Sequence, residues 1–137
     1  MSSARTIVDH MMANDAFSRW LGIEVLAAEP GSCTLTMTLR PEMTNGFHMA
    51  HGGIAYALAD SALAFAANGH GLRSVSIETS ISHTRPVHAG DQLTATAREI
   101  SLTNKIGIYD IEITSGAHTV ALFRGTVYRT GKSWELE

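Results

Sequence analysis

One cysteine, Cys33, occurs in the 137 residues. A lone thiol cannot close an intrachain disulfide, and it has no companion for a thiolate metal cluster. Set in an alternating segment, it reads as a small buried hydrophobe rather than a reactive group. Lys and Arg form no run, and the formal net charge is -3. That argues against a nucleic-acid partner. Acidic substrates stay open, because local basic groups can hold a phosphate on an acidic protein. The apolar run Ile54–Ala67 is shorter than the roughly 20 residues that cross a bilayer. The opening MSSARTIVDHMMAND lacks the continuous apolar core of a secretion signal. The expectation is a cytoplasmic protein with no membrane partner. Repeats, low-complexity tracts and linkers are missing too, so residues 1–137 are expected to form one domain.

What is present suits a single core: 45% of residues are apolar and 17% charged. The stretch from about Thr6 to Leu21 predicts one N-terminal helix within the first 20 or so residues. Ile7, Val8, Met11 and Met12 form its apolar stripe, and Gly22 is placed to end it. SCTLTMTLR alternates Cys33, Leu35, Met37 and Leu39 against threonines and Arg40, which predicts a strand. PEMTNGFHMAHGG reads as a loop, and a long apolar helix comes after it. SVSIETSISHT alternates again, and RPVHAGD is a turn marked by Pro86 and Gly90. LTATAREI, IGIYDIEIT and TVALFRGTVYR predict three further strands. The tail, residues 131–137, is expected to be loose. A helix apolar on all sides needs cover on all sides. The economical solution is α+β: a curved antiparallel sheet wrapped around the long helix, with a partner subunit covering the rest.

Asp60 interrupts that apolar helix. Gly53, Tyr56, Asp60 and Ala64 lie along one stripe at helical spacing. A buried carboxylate is costly unless paired or protonated. Either Asp60 is structural, bonded to the Tyr56 hydroxyl or to backbone, or the stripe faces a cleft and Asp60 is a general base or nucleophile. Gly52 and Gly53 open the helix. The first helical amides have no intrahelical partner, and the dipole there favours negative charge. An amide at Gly52 or Gly53 is therefore a candidate oxyanion donor, with a tight helix start as the plainer reading. His51 is either a helix-start residue bonded to the loop or part of a site. Asn45, taken alone, reads as a turn residue. His48-x-x-His51 could seed a metal site, but no third ligand is placed by the sequence, so no metal is expected.

The run NGFHMAHGGIAYALADSA resembles the signature of hotdog-fold acyl-CoA thioesterases of the PaaI type, the phenylacetate-degradation branch. RPVHAGDQLTATA and GIYDIEI…TVALFRG extend the likeness from about Ala16 to Arg129. The resemblance implies a long helix wrapped by a five- or six-stranded antiparallel sheet. It implies a homodimer, often doubled to a homotetramer, with sites between paired subunits. It implies that Asp60 is the catalytic carboxylate and that Gly52 or Gly53 is the oxyanion donor. Asn45 and His51 would hold the carbonyl end and position water. Ser76 matches a Ser/Thr that assists the water in some relatives, with a solvated strand hydroxyl as its alternative. The implied substrate is an acyl-CoA, favouring aryl-acetyl groups, with coenzyme A as part of the substrate and no cofactor. Arg85, Lys105, Arg124, Arg129 and Lys132 lie near strand ends, where any could meet a phosphate, with a solvated charge as the plainer reading of each. Tyr56, Arg85 and Lys105 are the substrate-binding candidates. A thioesterase for short or medium chains is one alternative. A non-catalytic acyl-CoA sensor is another, but the short N-terminal helix lacks the length and basic charge of a DNA-binding appendage. A dehydratase of the same fold would need an Asn-Pro-x-His segment, which this chain does not have.

Overall fold

The computed structural model describes residues 2–136. Two short helices, α1 (Ala4–Asn14) and α2 (Ala16–Leu21), come first, followed by strands β1 (Glu24–Glu29) and β2 (Ser32–Thr38). A 3-10 turn at Pro41–Met43 and a loop lead into the long helix α3 (Gly52–Asn68). Strands β3 (Leu72–His83), β4 (Gln92–Leu102), β5 (Ile106–Ser115) and β6 (His118–Ser133) complete the chain. The strands form one six-stranded sheet in the order β1-β2-β4-β5-β6-β3, with every pairing antiparallel. The sheet packs on α3, as the apolar pattern predicts.

The packing shows why these sequences fold this way. Leu58, Ala59, Ala62, Leu63 and Ala66 of α3 are at most 1% exposed. They meet the inward residues of the alternating strands, among them Leu35, Leu93, Ile111 and Ile113, which are equally buried. Gly125 of β6 sets how closely helix and sheet approach. A Cβ added there would lie 2.5 Å from Leu63 Cδ2. The helix is not covered all round, however. Gly53 and Tyr56 are exposed and Asp60 and Ala64 only partly buried, so the stripe that carries the carboxylate is the uncovered one.

Three expectations are corrected. The N-terminal segment is two helices, not one, because Asp15 interrupts it. Its Oδ1 accepts the Ser18 amide at 2.9 Å and its Oδ2 accepts the Ser18 hydroxyl at 2.6 Å. An aspartate that captures the amide three residues on starts a new helix. Gly22 does end the segment, at φ 78. Strand β1 was not anticipated. It is an edge strand with four of its six residues exposed, so it lacks the alternation that marked the others.

Nor is the tail loose. Strand β6 runs on to Ser133, and the Trp134 amide donates to Gly71 O at 2.8 Å. The Trp134 indole N–H donates to Asn68 Oδ1 at 2.8 Å, with the Arg73 guanidinium 4.2 Å from its ring centroid. Glu137 lies outside the described residues.

Among the described residues strand β3 pairs only with β6, leaving its other edge open along the strand. Val75 and Ile77 on it are 55% and 59% exposed. A long apolar free edge is a template for pairing with another chain.

Candidate active site

The loop before α3 is built by its own polar groups. Asn45 Oδ1 accepts the amides of Phe47 at 2.9 Å and Met49 at 3.3 Å, while the Asn45 amide donates to Met49 O at 2.7 Å. This closes a tight turn in which His48 takes φ 61. The Asn45 side-chain amide donates to no group among the described residues, so it is free for a ligand. The Ala50 amide then donates to Val87 O at 2.7 Å, tying the loop to the Arg85–Val87 segment. His51 caps α3: its Nδ1 accepts the Gly53 amide at 2.9 Å. That bond puts the proton of the neutral imidazole on Nε2. It also separates the two glycines. The Gly53 amide is occupied, whereas the Gly52 amide donates to no protein group among the described residues. The candidate oxyanion donor is therefore Gly52. His51, Gly52, Ala55, His83, Arg85 and Val87 line a groove of about 480 Å³ at this end of the helix.

Asp60 lies two turns further on. Its carboxylate makes no ion pair and no hydrogen bond among the described residues. The Tyr56 hydroxyl is bonded instead to Thr79 Oγ1, and its ring stands edge-on to Phe123 at 5.4 Å. The structural reading, with Tyr56 satisfying Asp60, is not what the fold contains. Burial, followed by the nearby Asp15 carboxylate, raises the pKa of Asp60 above the ordinary aspartate value. Met11, Asp60, Leu63, Ala64, Val75 and Ser76 line a recess of about 250 Å³. Its walls mix apolar residues with Asn68 and Ser74, and Ser76 brings a hydroxyl to the carboxylate's own recess.

The family model of the thioesterase superfamily matches residues 47–122, a span that includes the groove at the helix start, Asp60 and Ser76. The chain belongs to the thioesterase superfamily. It is 43% identical over 122 residues to the acyl-coenzyme A thioesterase PaaI of Escherichia coli (strain K12), covering 88% of this chain and 87% of that protein. The solved structure of the E. coli PaaI protein from the phenylacetic acid degradation operon superposes with a TM-score of 0.93 at 41% identity, over 95% of each chain. A mutant of the phenylacetic acid degradation protein PaaI from Thermus thermophilus gives 0.82 at 38% identity, over 84% of this chain and 99% of that one. The hotdog fold implied by the sequence is thus the fold of this superfamily member, with six strands rather than five.

Within this thioesterase-superfamily chain the anticipated residues fall into two groups. His51, Gly52 and Arg85 meet in the groove, with Asn45 in the loop leading to it. Asp60 and Ser76 meet in the recess. Lys105 joins neither: it sits in the β4–β5 turn with its ammonium 5.8 Å from the Tyr128 ring centroid. Tyr56 lies on the exposed stripe, but its hydroxyl is engaged by Thr79. Arg124 is committed to Asp110, with two bonds of 2.6 and 2.8 Å. Arg129 donates to Thr103 O at 3.0 Å. Two residues were missed. Asp15 acts on the pKa of Asp60, and its position just before a helical stripe is a cap signature that could have revealed it. The His83 ring stands beside Gly52, 3.2 Å from where a Cβ there would lie, and its spacing of two from Arg85 was the available signal.

Proposed function

We propose that this chain hydrolyses acyl-coenzyme A thioesters to the free acid and coenzyme A. The observation that carries the proposal is Asp60, a half-buried carboxylate with no partner among the described residues, on an uncovered stripe of a core helix. Asp60 takes a proton from water as the water attacks the carbonyl carbon, or it attacks that carbon itself to give a mixed anhydride. The Gly52 amide donates to the carbonyl oxygen as negative charge develops on it, and Asn45 and His51 hold the carbonyl end. Ser76 assists the water. The leaving group is a thiol with a pKa of roughly 8.5, judged by cysteine, so it departs without a strong general acid. A raised pKa makes Asp60 a better base than an exposed aspartate. Neither a metal nor a cofactor takes part.

The helix itself supports a shared site. Gly52 and Asp60 are eight residues apart, or about 12 Å along the axis. Groups acting on one carbonyl must each come within about 3–3.5 Å of the reacting atoms. A single chain cannot meet that condition with these two residues. A two-fold homodimer joined along the open β3 edge would bring Asp60 and Ser76 of one protomer to the Gly52 groove of its partner. Two dimers would then associate as a homotetramer. Arg85, which lines the Gly52 groove, and Tyr56, on the exposed stripe, contact the substrate in this reading, with Arg85 meeting a phosphate of coenzyme A. Lys105 is left as a distal contact for a coenzyme A phosphate.

The acyl group is an aryl-acetyl group, of phenylacetyl or hydroxyphenylacetyl type, and the setting is phenylacetate degradation in the cytoplasm. The motif resemblance and the names of the relatives support this. The test is thiol release from a panel of aryl-acetyl, short-chain and long-chain acyl-CoA substrates. The highest kcat/KM is expected for the aryl-acetyl members. A preference for short or medium chains would reject the aryl assignment. Tight acyl-CoA binding with no thiol released would make the chain a non-catalytic binder.

A further inference from the structure

We propose that His83 is a second donor to the substrate carbonyl, acting beside the Gly52 amide. The inference rests on the thioesterase reading above and adds a catalytic residue to it. A Cβ added to Gly52 would lie 3.2 Å from His83 Nε2, 3.6 Å from Cε1 and 3.9 Å from Cδ2. The tip of the imidazole is therefore aimed at the residue whose amide is unengaged. Gly52 is not among the glycines with positive φ, so the backbone does not demand a glycine here. Its missing side chain serves the close approach of the imidazole, since an alanine would press on His83.

The surroundings fit a donor. Neither ring nitrogen of His83 has a hydrogen-bond partner among the described residues, whereas His51 spends its Nδ1 on the helix cap. The groove is lined by His83, His51, Gly52 and Arg85 with no carboxylate among its lining residues, so nothing acidic competes for the imidazole N–H. Ala55, Val87 and Val120 supply apolar wall, which strengthens a hydrogen bond made there. His83 is held by its pairing with Ala121, at the end of β3. The sheet sets the backbone that carries the ring, while the exposed imidazole itself is free to turn toward a substrate oxygen.

In the balanced step, water adds to the carbonyl carbon and gives its proton to Asp60, while the C=O π pair moves onto oxygen. That oxygen accepts from Gly52 N–H and His83 Nε2–H. The pair returns, the C–S bond breaks with its electrons on sulfur, and the thiolate takes the proton from Asp60.

The test compares His83→Phe, which keeps a ring but removes the donor, with His83→Gln, which keeps an N–H. Turnover is measured on the best acyl-CoA substrate, and binding on a coenzyme A thioether that has no carbonyl. By analogy with other oxyanion donors, reduced for an exposed groove, His83→Phe should lower kcat about 10- to 100-fold with KM within about twofold. His83→Gln should recover a substantial part of the loss. Thioether affinity should stay at the wild-type value in both. A kcat for His83→Phe within about twofold of wild type would overturn the inference alone. So would a parallel fall in thioether affinity, which would mark His83 as merely structural. A wild-type protein that releases no thiol from any acyl-CoA would overturn both this inference and the thioesterase reading.

Discussion

Replacing Asp60 by Asn separates a catalytic carboxylate from a structural one, because the two roles predict opposite changes in stability. Asn nearly matches the shape but cannot act as a base or nucleophile at neutral pH. Loss of a general base typically costs about 10²–10⁴ in rate, or roughly 2.7–5.5 kcal/mol of transition-state stabilisation. The loss should fall on kcat and leave KM near wild type. Stability should move the other way. Burial and the Asp15 carboxylate raise the folded-state pKa of Asp60 above the ordinary 3.8. The folded protein therefore holds this proton more tightly than the unfolded chain does. Its contribution to stability is favourable at low pH and is lost as pH rises from the unfolded pKa through the folded one. At pH 7, above the ordinary aspartate range, ionising this carboxyl costs the wild type stability, a cost that Asp60→Asn does not carry. The variant should melt at the same or a higher temperature than wild type at pH 7, with any advantage shrinking as the buffer approaches the ordinary aspartate range. Wild-type hydrolysis should fade on one acidic limb, at a pH above that range. The assays are thiol release for kcat and KM, and circular-dichroism melting at neutral and acid pH. A folded Asp60→Asn that retains more than about a tenth of wild-type kcat would refute the catalytic role. A variant that melts well below wild type at pH 7 would show that the carboxylate makes a structural bond.

Three other outcomes are expected. Asp60→Asn and Asn45→Ala, each nearly inactive alone, should regain roughly a quarter of wild-type activity when co-refolded in equal amounts, because half of randomly paired dimers carry one intact shared site; no recovery in confirmed mixed dimers would place the site within one chain. Gly125→Ala should lower the free energy of urea unfolding by about 1–3 kcal/mol through overpacking against Leu63, and an unchanged midpoint would mean the helix shifts freely. Trp134→Ala should cost about 1–3 kcal/mol, since it leaves a buried Asn68 oxygen with one partner fewer and removes the stacking on Arg73; a tail with no structural role would show no change in melting.

Much of the candidate site was legible because its signals are local. A carboxylate amid Ile54–Ala67 is anomalous wherever the helix lies, and the stripe through Gly53, Tyr56, Asp60 and Ala64 follows from helical spacing alone. The His51 cap and the Asn45 turn are also short-range matters, which is why their plain structural readings hold beside any role toward substrate. For Gly52 and Gly53 the sequence offered no choice. The choice came from the His51 ring, whose Nδ1 reaches the second amide and leaves the first free.

The sequence by itself determined the long helix, the alternating strands β2 to β6 and the family, since periods of 2 and 3.6 and a motif of fixed spacing need no tertiary information. Tertiary structure alone decided where distant segments meet. Strand β1 is a strand because β2 pairs with it, not because its own residues alternate. Trp134 is anchored by Asn68, 66 positions earlier in the chain. His83 comes to Gly52 only because β3 runs back along the helix to its start. The helix is uncovered along the Asp60 stripe because six strands, ending at the open edge of β3, do not close around it. Such contacts depend on which surfaces the whole chain buries together, and no local pattern encodes that.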